Sequence, residues 1–529
     1  MRKILVLLFM LAGFMGFAQT DDASTYASTI TTADLQKHLS IIASADMQGR
    51  ETGTEGQRKA AAYIETYFKT LGLPAVEKLT GYQQFYPLYK DSMANASFTV
   101  NNKAAVYGTD YIIPASTNNN GKFKSKRFVF AGYGIEDAKY SDYAGINVKG
   151  KLVLIVLGEP KSADGTYMLS GTKRGSEWTF PGLSKKLALA ASKGAVGALV
   201  INPTMETFSS RLVESGKKTN VYYPREGNNS SFNYAIISHS YAKNLTGIYF
   251  DSIMAMAKRN AAYSTIGNWK KREIKSNLKF EYKKQRTTIN ASNVLGVIEG
   301  SDKKDEYVFL TAHYDHLGMR DGKIFYGADD DGSGTVAVLE MAEAFAKAKA
   351  TGKGPRRTVV CMTVSGEEKG LWGSEYYSEN PVYPLEKTSV DLNTDMIGRI
   401  DTERKLADTM NYVYVVGHDK LSSELPLINE AQNNKYTALT LDYKFDDPND
   451  PERIYFRSDH YNFARKGVPV LFFYDGMLKS DYHKPTDTIE KISWSLFEKR
   501  ARMIFYTAWE MANRDTIIKR DKPIPTATR

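Results

Sequence analysis

The sequence predicts an α/β protein: a mixed, mostly parallel sheet flanked by helices, interrupted by a smaller inserted α/β module. Three observations predict it. From Asn293 onward, apolar strand-like runs alternate with helix-like segments, the pattern of a largely parallel sheet covered by helices. Between about Ser97 and Ile274 the texture changes to short β-like runs separated by turn residues. The chain's clustered His, Asp and Glu fall directly after the later strands, and in such sheets ligands bind beyond the carboxyl ends of the strands.

Taken in order, Arg2-Lys3, an apolar run from Ile4 to Phe14, and Gly16-Phe17-Ala18 read as a cleavable secretory signal over residues 1–18. The apolar run is shorter than the roughly 20 residues a bilayer span needs, no Cys follows it for lipid attachment, and no later segment is long and apolar enough to span. The expectation is a secreted or periplasmic protein with no stable membrane anchor. Residues 20–95 open the main domain, with helices expected over 20–90. Thr32 is the expected N-cap before Asp34 to Ile42, and 56–72 carries Ala60, Ala61, Ile64, Phe68 and Leu71 at near-helical spacing before Gly72 and Pro74 end it. Residues 96–275 are the insert, with strands expected at 128–131, 152–157 and 198–201 and a helix at 183–193. Residues 276–515 resume the main domain, with strands at 307–312, 358–364, 390–394, 412–416 and 468–474, an Ala-rich helix at 335–349 and a closing helix at 494–513. Residues 516–529 form a tail.

Composition excludes several classes. Among 529 residues, 42% hydrophobic and 25% charged is the balance of a globular chain. The net charge of +10 is mild at this length, and no Lys/Arg block marks a nucleic-acid groove. Cys361 is the only cysteine and lies inside a strand-like run, a core position rather than that of a nucleophile. With no Gly-x-Ser-x-Gly elbow either, a serine or cysteine hydrolase has no support.

The chemistry gathers at the strand ends. One strand runs into His313-Tyr314-Asp315-His316, and a loop later comes Gly327-Ala-Asp329-Asp330-Asp331-Gly-Ser-Gly334. The next runs into Ser365-Gly366-Glu367-Glu368, the next ends at Asn393-Thr394-Asp395, and after the last comes Asp481-Tyr482-His483-Lys-Pro-Thr-Asp487. Imidazole with carboxylate suits zinc and its neighbours. Two His with three or more carboxylates suit two metals, because a carboxylate can bridge, and a metal pair can activate water and polarise a carbonyl. In the Glu367-Glu368 pair, one side chain can bind metal while the other takes the proton of the water.

These motifs resemble the dinuclear zinc aminopeptidase family, metallopeptidase family 28. The resemblance covers the N-terminal helices, where Gln48-Gly49-Arg50-Glu51-Thr52-Gly53 is similar to a family motif, and nearly all of 285–515. It implies a zinc exopeptidase fold, two Zn2+ ions, and peptide or protein N-termini as substrates. It implies His313 and Asp395 as terminal ligands of one zinc, Glu368 and His483 of the other, and Asp330 as the bridge. It further implies Glu367 as general base, Asp315 as the carboxylate that orients His313, and Tyr482 as the hydroxyl that meets the developing oxyanion. In the insert, Gly132-Tyr-Gly-Ile135, Asp142-Tyr143, Gly150-Lys151 and Gly158-Glu-Pro160 resemble a protease-associated (PA) domain.

Competing readings remain open at this point. Asp329, Asp331, Ser333, Gly334 and Glu340 match the spacing of a calcium-binding EF-hand loop, but no helix is expected to lead into it. His316 reads as a hydrogen-bonded neighbour rather than a ligand, His460 as structural or substrate-facing, and the acidic stretch 442–450 as a solvated loop. A carboxypeptidase of the same superfamily would need an Arg/Lys cluster in the pocket. A one-zinc glutaminyl cyclase fits poorly with His313 and Asp330 both present, and a non-catalytic receptor-like relative would be expected to have lost ligands.

Overall fold

The structure, a computed structural model, describes residues 21–225, 232–262 and 272–524. The signal segment 1–18 and the last five residues of the tail lie outside the described residues. No helix among the described residues is long and apolar enough to cross a membrane. The chain divides into two compact units, Met1–Tyr86 with Asn290–Arg529, and Pro87–Ile289.

The first unit holds a mixed, mostly parallel sheet. Its central strand Lys303–His313 runs parallel to Arg357–Val364 on one side and to Thr388–Thr394 on the other. Thr388–Thr394 continues in parallel to Val470–Tyr474, while Tyr412–Val416 is antiparallel to Val470–Tyr474 and parallel to Thr440–Asp442. The last part of Glu273–Ile298 closes the other side, antiparallel to Arg357–Val364. The central strands read as continuous apolar runs because both their faces are covered. Arg357–Val364 and Thr388–Thr394 are buried at every residue. The covering helices include Thr32–Ile42, Gly332–Ala350 and Trp494–Asn513, whose apolar residues share one core with the strands.

Helix starts shift by a few residues, and capping explains the shifts. Thr31, not Thr32, is the N-cap: its hydroxyl accepts from Asp34 N, and Thr32 is already helical. The Ala-rich helix begins at Gly332 because Asp331 caps it, accepting from Gly334 N.

The second unit contains four parallel strands, Gly121–Phe130, Leu152–Val156, Gly197–Ile201 and Tyr234–Ile237. Side chains alternate between two cores. Phe128, Phe130, Leu152, Leu154 and Val156 enter one, Val129, Val153 and Ile155 the other.

The boundaries differ from those expected at 95/96 and 275/276. They fall at 86/87 and 289/290, inside two long strands, Gln83–Val100 and Glu273–Ile298, that the sequence reading missed. Gln83–Val100 overlaps a stretch expected to be helical. The chain leaves and re-enters the first unit in extended conformation, so no Gly/Pro-rich linker marks the crossing.

Candidate metal centre

Register delivers the site. His313 pairs with Val364, and Thr311 pairs with Asn393, so three parallel strands end together. Their ends carry His313, Glu367-Glu368 and Asp395 to one edge of the sheet. The Asp329–Asp331 turn lies at the N-terminus of the helix Gly332–Ala350, whose dipole favours negative charge there. His483 arrives from the loop after the last strand.

Two clusters result, and Asp330 belongs to both. His313 Nε2 lies 3.4 Å from Asp330 Oδ1, 3.5 Å from Asp395 Oδ1 and 3.9 Å from Glu367 Oε2. His483 Nε2 lies 3.3 Å from Asp330 Oδ2 and 3.0 Å from Glu368 Oε2. Asp330 thus turns one oxygen toward each group. Asp331 also has an oxygen near His313 and Asp395. Its carboxylate is already committed, however, to the backbone N–H groups of His313, Gly334 and Met396.

His316, read from the sequence as a hydrogen-bonded neighbour, lies beside the second group. Its Nδ1 lies 2.8 Å from Glu368 Oε1 and 3.7 Å from Asp330 Oδ2, inside the second cluster. Gly327 leaves room for the ring, since a Cβ there would come within 2.5 Å of it.

The residues fit a metal pair. His313 Nε2, His316 Nδ1, Asp330 Oδ2 and Glu368 Oε1 are buried with no hydrogen-bond partner, yet they lie within a few ångströms of one another. Polar atoms buried this way are normally satisfied, and donor atoms converging on shared points suit cations. The electrostatics agree. Burial raises the Asp330 pKa, but His316, His313 and His483 outweigh it and hold it well below the carboxylate range. Burial raises Glu367 well above its usual value, with Asp395 and Glu368 adding to the rise and His313 opposing it.

The two remaining site residues take these positions. Asp315 is fully buried. His313 Nδ1 meets the Asp315 backbone carbonyl at 3.0 Å, closer than its carboxylate at 3.7 Å. The carboxylate accepts instead from Glu367 N at 3.2 Å and Thr52 Oγ1 at 2.6 Å. Tyr482 stacks on His483, with ring centroids 3.8 Å apart, and its hydroxyl accepts from Arg457 Nη2 at 3.2 Å. Burial raises the Tyr482 pKa, so its hydroxyl keeps its proton. Tyr482 borders a cleft with Asp330, Glu367 and Asp395 on one side and Met396, Ile454, Phe472, Tyr474 and Leu478 as an apolar wall.

The EF-hand spacing around Asp329 does not form a calcium loop. Asp329 Oδ1 is taken by Gly398 N and Ser333 Oγ, and Glu340 lies within the helix, 3.3 Å from His38 Nε2, so neither is disposed as an EF-hand ligand. His418, Asp419 and Asp446 form a further acidic group, but Lys420 Nζ sits 2.7 Å from Asp446 and supplies the cation. Sequence reasoning assigned no role to Asp487. Its carboxylate accepts from Asp329 N and Asp330 N and holds the Asp330 turn.

His460 lies outside both clusters, buried and stacked on Phe472 at 4.7 Å. Burial lowers its pKa to about 3. The unfolded chain takes up a proton as pH falls through about 6.5 and the folded chain refuses it until near 3. His460 therefore costs stability in that window, by about 1.4 kcal/mol per pH unit. Denaturant titrations at fixed metal content should show His460→Phe losing stability less steeply than the wild type between pH 6 and 4. Parallel curves would refute this burial effect.

The strand ends of this mostly parallel sheet thus present two imidazole–carboxylate clusters that share one aspartate. Residues 293–508 match the model of peptidase family M28. Among curated relatives, a probable leucine aminopeptidase of Trichophyton verrucosum is 27% identical over 226 residues, covering 42% of this chain and 57% of its own length. A probable glutamate carboxypeptidase of Arabidopsis thaliana is 36% identical over 119 residues, covering 22% of this chain and 16% of its own. The chain thus spans little more than half of the aminopeptidase relative and a small part of the carboxypeptidase. An aminopeptidase from Aneurinibacillus sp. strain AM-1 superposes over 95% of this chain and 100% of its own with a TM-score of 0.48 and 18% identity, too loosely to bear an argument.

Proposed function

We propose that the chain is a zinc-dependent aminopeptidase that hydrolyses N-terminal peptide bonds at a two-zinc centre. The observation that carries this reading is the carboxylate of Asp330, with Oδ1 3.4 Å from His313 Nε2 and Oδ2 3.3 Å from His483 Nε2. His313 and Asp395 would hold one zinc, Glu368 and His483 the other, and Asp330 both. Bound there, the pair would acidify a water and polarise the scissile carbonyl. Glu367 takes the proton of the attacking water and returns it to the departing amine. Its raised pKa, set first by burial, suits a base that must later act as an acid. Tyr482, protonated and beside the cleft, donates to the developing oxyanion. Asp315 positions His313 through its carbonyl and the Glu367 backbone through its carboxylate. The second unit, with its own cores, is read as a protease-associated domain, and the N-terminal signal as export to the periplasm or beyond.

The carboxypeptidase reading draws on the Arabidopsis relative and on Arg457, which borders the cleft. Arg457 is the only basic residue lining the described cleft, whereas a carboxylate-reading pocket calls for a cluster. The test is a matched peptide set. N-acetylation should abolish cleavage while C-amidation leaves it intact, and the reverse pattern would install the carboxypeptidase reading. Elemental analysis of active protein should return close to two zinc per chain, with chelation abolishing activity and added zinc restoring it. Full activity at one zinc per chain would refute the bridging role of Asp330.

A further inference from the structure

The segment Gln48–Gly53 takes no part in the chemistry above, yet it is built into the walls of the site. Arg50 is fully buried and spends its guanidinium on four backbone carbonyls. Nε donates to Tyr314 O at 2.7 Å, Nη1 to Ile42 O at 2.7 Å and Tyr326 O at 2.8 Å, and Nη2 to Gly327 O at 2.9 Å. Its neighbours reach the same segments. Gly49 O accepts from Gly318 N at 2.9 Å, and Thr52 Oγ1 donates to Asp315 Oδ2 at 2.6 Å. Glu51 Oε1 pairs with Lys369 Nζ at 2.5 Å. Gly49 lies at φ +68°, and a Cβ there would come within 2.5 Å of the carbonyl oxygens of Gly318 and Phe325, so the motif lies flush against that loop.

Apart from Ile42 and Gly318, these partners lie near a proposed ligand or the base. Tyr314 and Asp315 follow His313, Tyr326 and Gly327 lead into Asp330, and Lys369 follows Glu368. Arg50 is also the buried cation facing Asp315, Asp330, Asp331 and Asp487. A buried charge needs such compensation. A planar fork of five donors can bond these four carbonyls at once, whereas a lysine in its place has only three donors, all on one atom.

We propose that residues 48–53 form a brace that holds the segments 313–316, 327–330 and 367–369 at metal-binding separation, with Arg50 as its positioning residue. This rests on the two-zinc reading of the site. Arg50 touches no substrate, so its loss should lower zinc affinity and kcat and leave KM nearly unchanged.

The test compares full-length wild type, Arg50→Lys and Thr52→Val by chelator competition for zinc, by kcat and KM at saturating zinc, and by thermal unfolding. Arg50→Lys is expected to bind zinc roughly 10–100-fold more weakly, as for residues that orient ligands. Its kcat at saturating zinc should fall on the order of tenfold or more, because small misplacements of reacting groups are costly. KM should stay within about twofold. Thr52→Val, which removes one hydroxyl, should move the same quantities in the same direction by less. In Arg50→Ala, added guanidinium ion should restore part of the lost kcat and zinc affinity. The proposal is overturned if Arg50→Lys unfolds at lower temperature yet keeps wild-type zinc affinity and kcat. Should Arg50→Lys not fold, Thr52→Val with wild-type zinc affinity and kcat overturns it equally. A wild type that binds no zinc overturns the site reading itself, before any variant is compared.

Discussion

Glu367→Gln is expected to lower kcat by a factor on the order of 10²–10⁴, the usual worth of positioned acid–base catalysis, while the protein keeps its zinc. The carboxylate lies on the His313 side of the site, 3.9 Å from His313 Nε2. It stands outside the close contacts that Glu368 makes with His483 at 3.0 Å and His316 at 2.8 Å. The amide is nearly isosteric, so the cleft keeps its shape and KM should change little. What is lost is the acceptor for the water's proton and the donor to the leaving amine. Glu368→Gln should behave differently: the pull of two imidazoles on its carboxylate is weakened, and zinc is lost from one site. Zinc content measured beside kcat for both variants decides the matter. If Glu367→Gln loses zinc and Glu368→Gln keeps it, the two roles are reversed; if neither loses activity, the reaction occurs elsewhere.

Asp330→Asn should be the more damaging change. The side chain presents one oxygen to His313 and the other to His483, and against the effect of burial the three histidines around it hold it ionised. An amide retains one oxygen and no charge, so it cannot bridge. Bound zinc should fall from two per chain to one or fewer. Activity should drop on the order of 10³ or more, since a bound metal takes the pKa of water from about 15.7 to about 7 and that advantage goes with it. The fold should survive, because the turn is held through backbone: Asp487 accepts from Asp329 N and Asp330 N whatever the side chain at 330. An Asp330→Asn protein with two zinc and full turnover would refute the bridge.

Much of the site was legible because parallel strands write it in a simple form. Apolar runs such as 358–364 and 412–416 announce strands, and a polar, carboxylate-rich segment directly after such a run has only one place to go. His313, Asp330, Glu367, Glu368, Asp395 and His483 were all found this way, and the structure brings them together. The long strands Gln83–Val100 and Glu273–Ile298 were missed. Much of their length alternates buried and exposed residues amid many Lys and Asn, which dilutes the apolar signal.

What the sequence determined by itself is therefore the inventory and its order: a mostly parallel α/β unit, an insert, and six His, Asp and Glu side chains gathered at strand ends. What only the tertiary structure decided is which atoms face which. Register and loop packing set the two oxygens of Asp330 toward different histidines, drew His316 into the second cluster, and turned the Asp315 carboxylate to Glu367 N and Thr52 while its carbonyl met His313. They also carried Arg50, more than 260 residues away in sequence, against Tyr314 and Gly327. Local pattern is a property of neighbours along the chain and can be read there. These contacts are closed by distant segments whose approach depends on the whole core, so no local spacing encodes them.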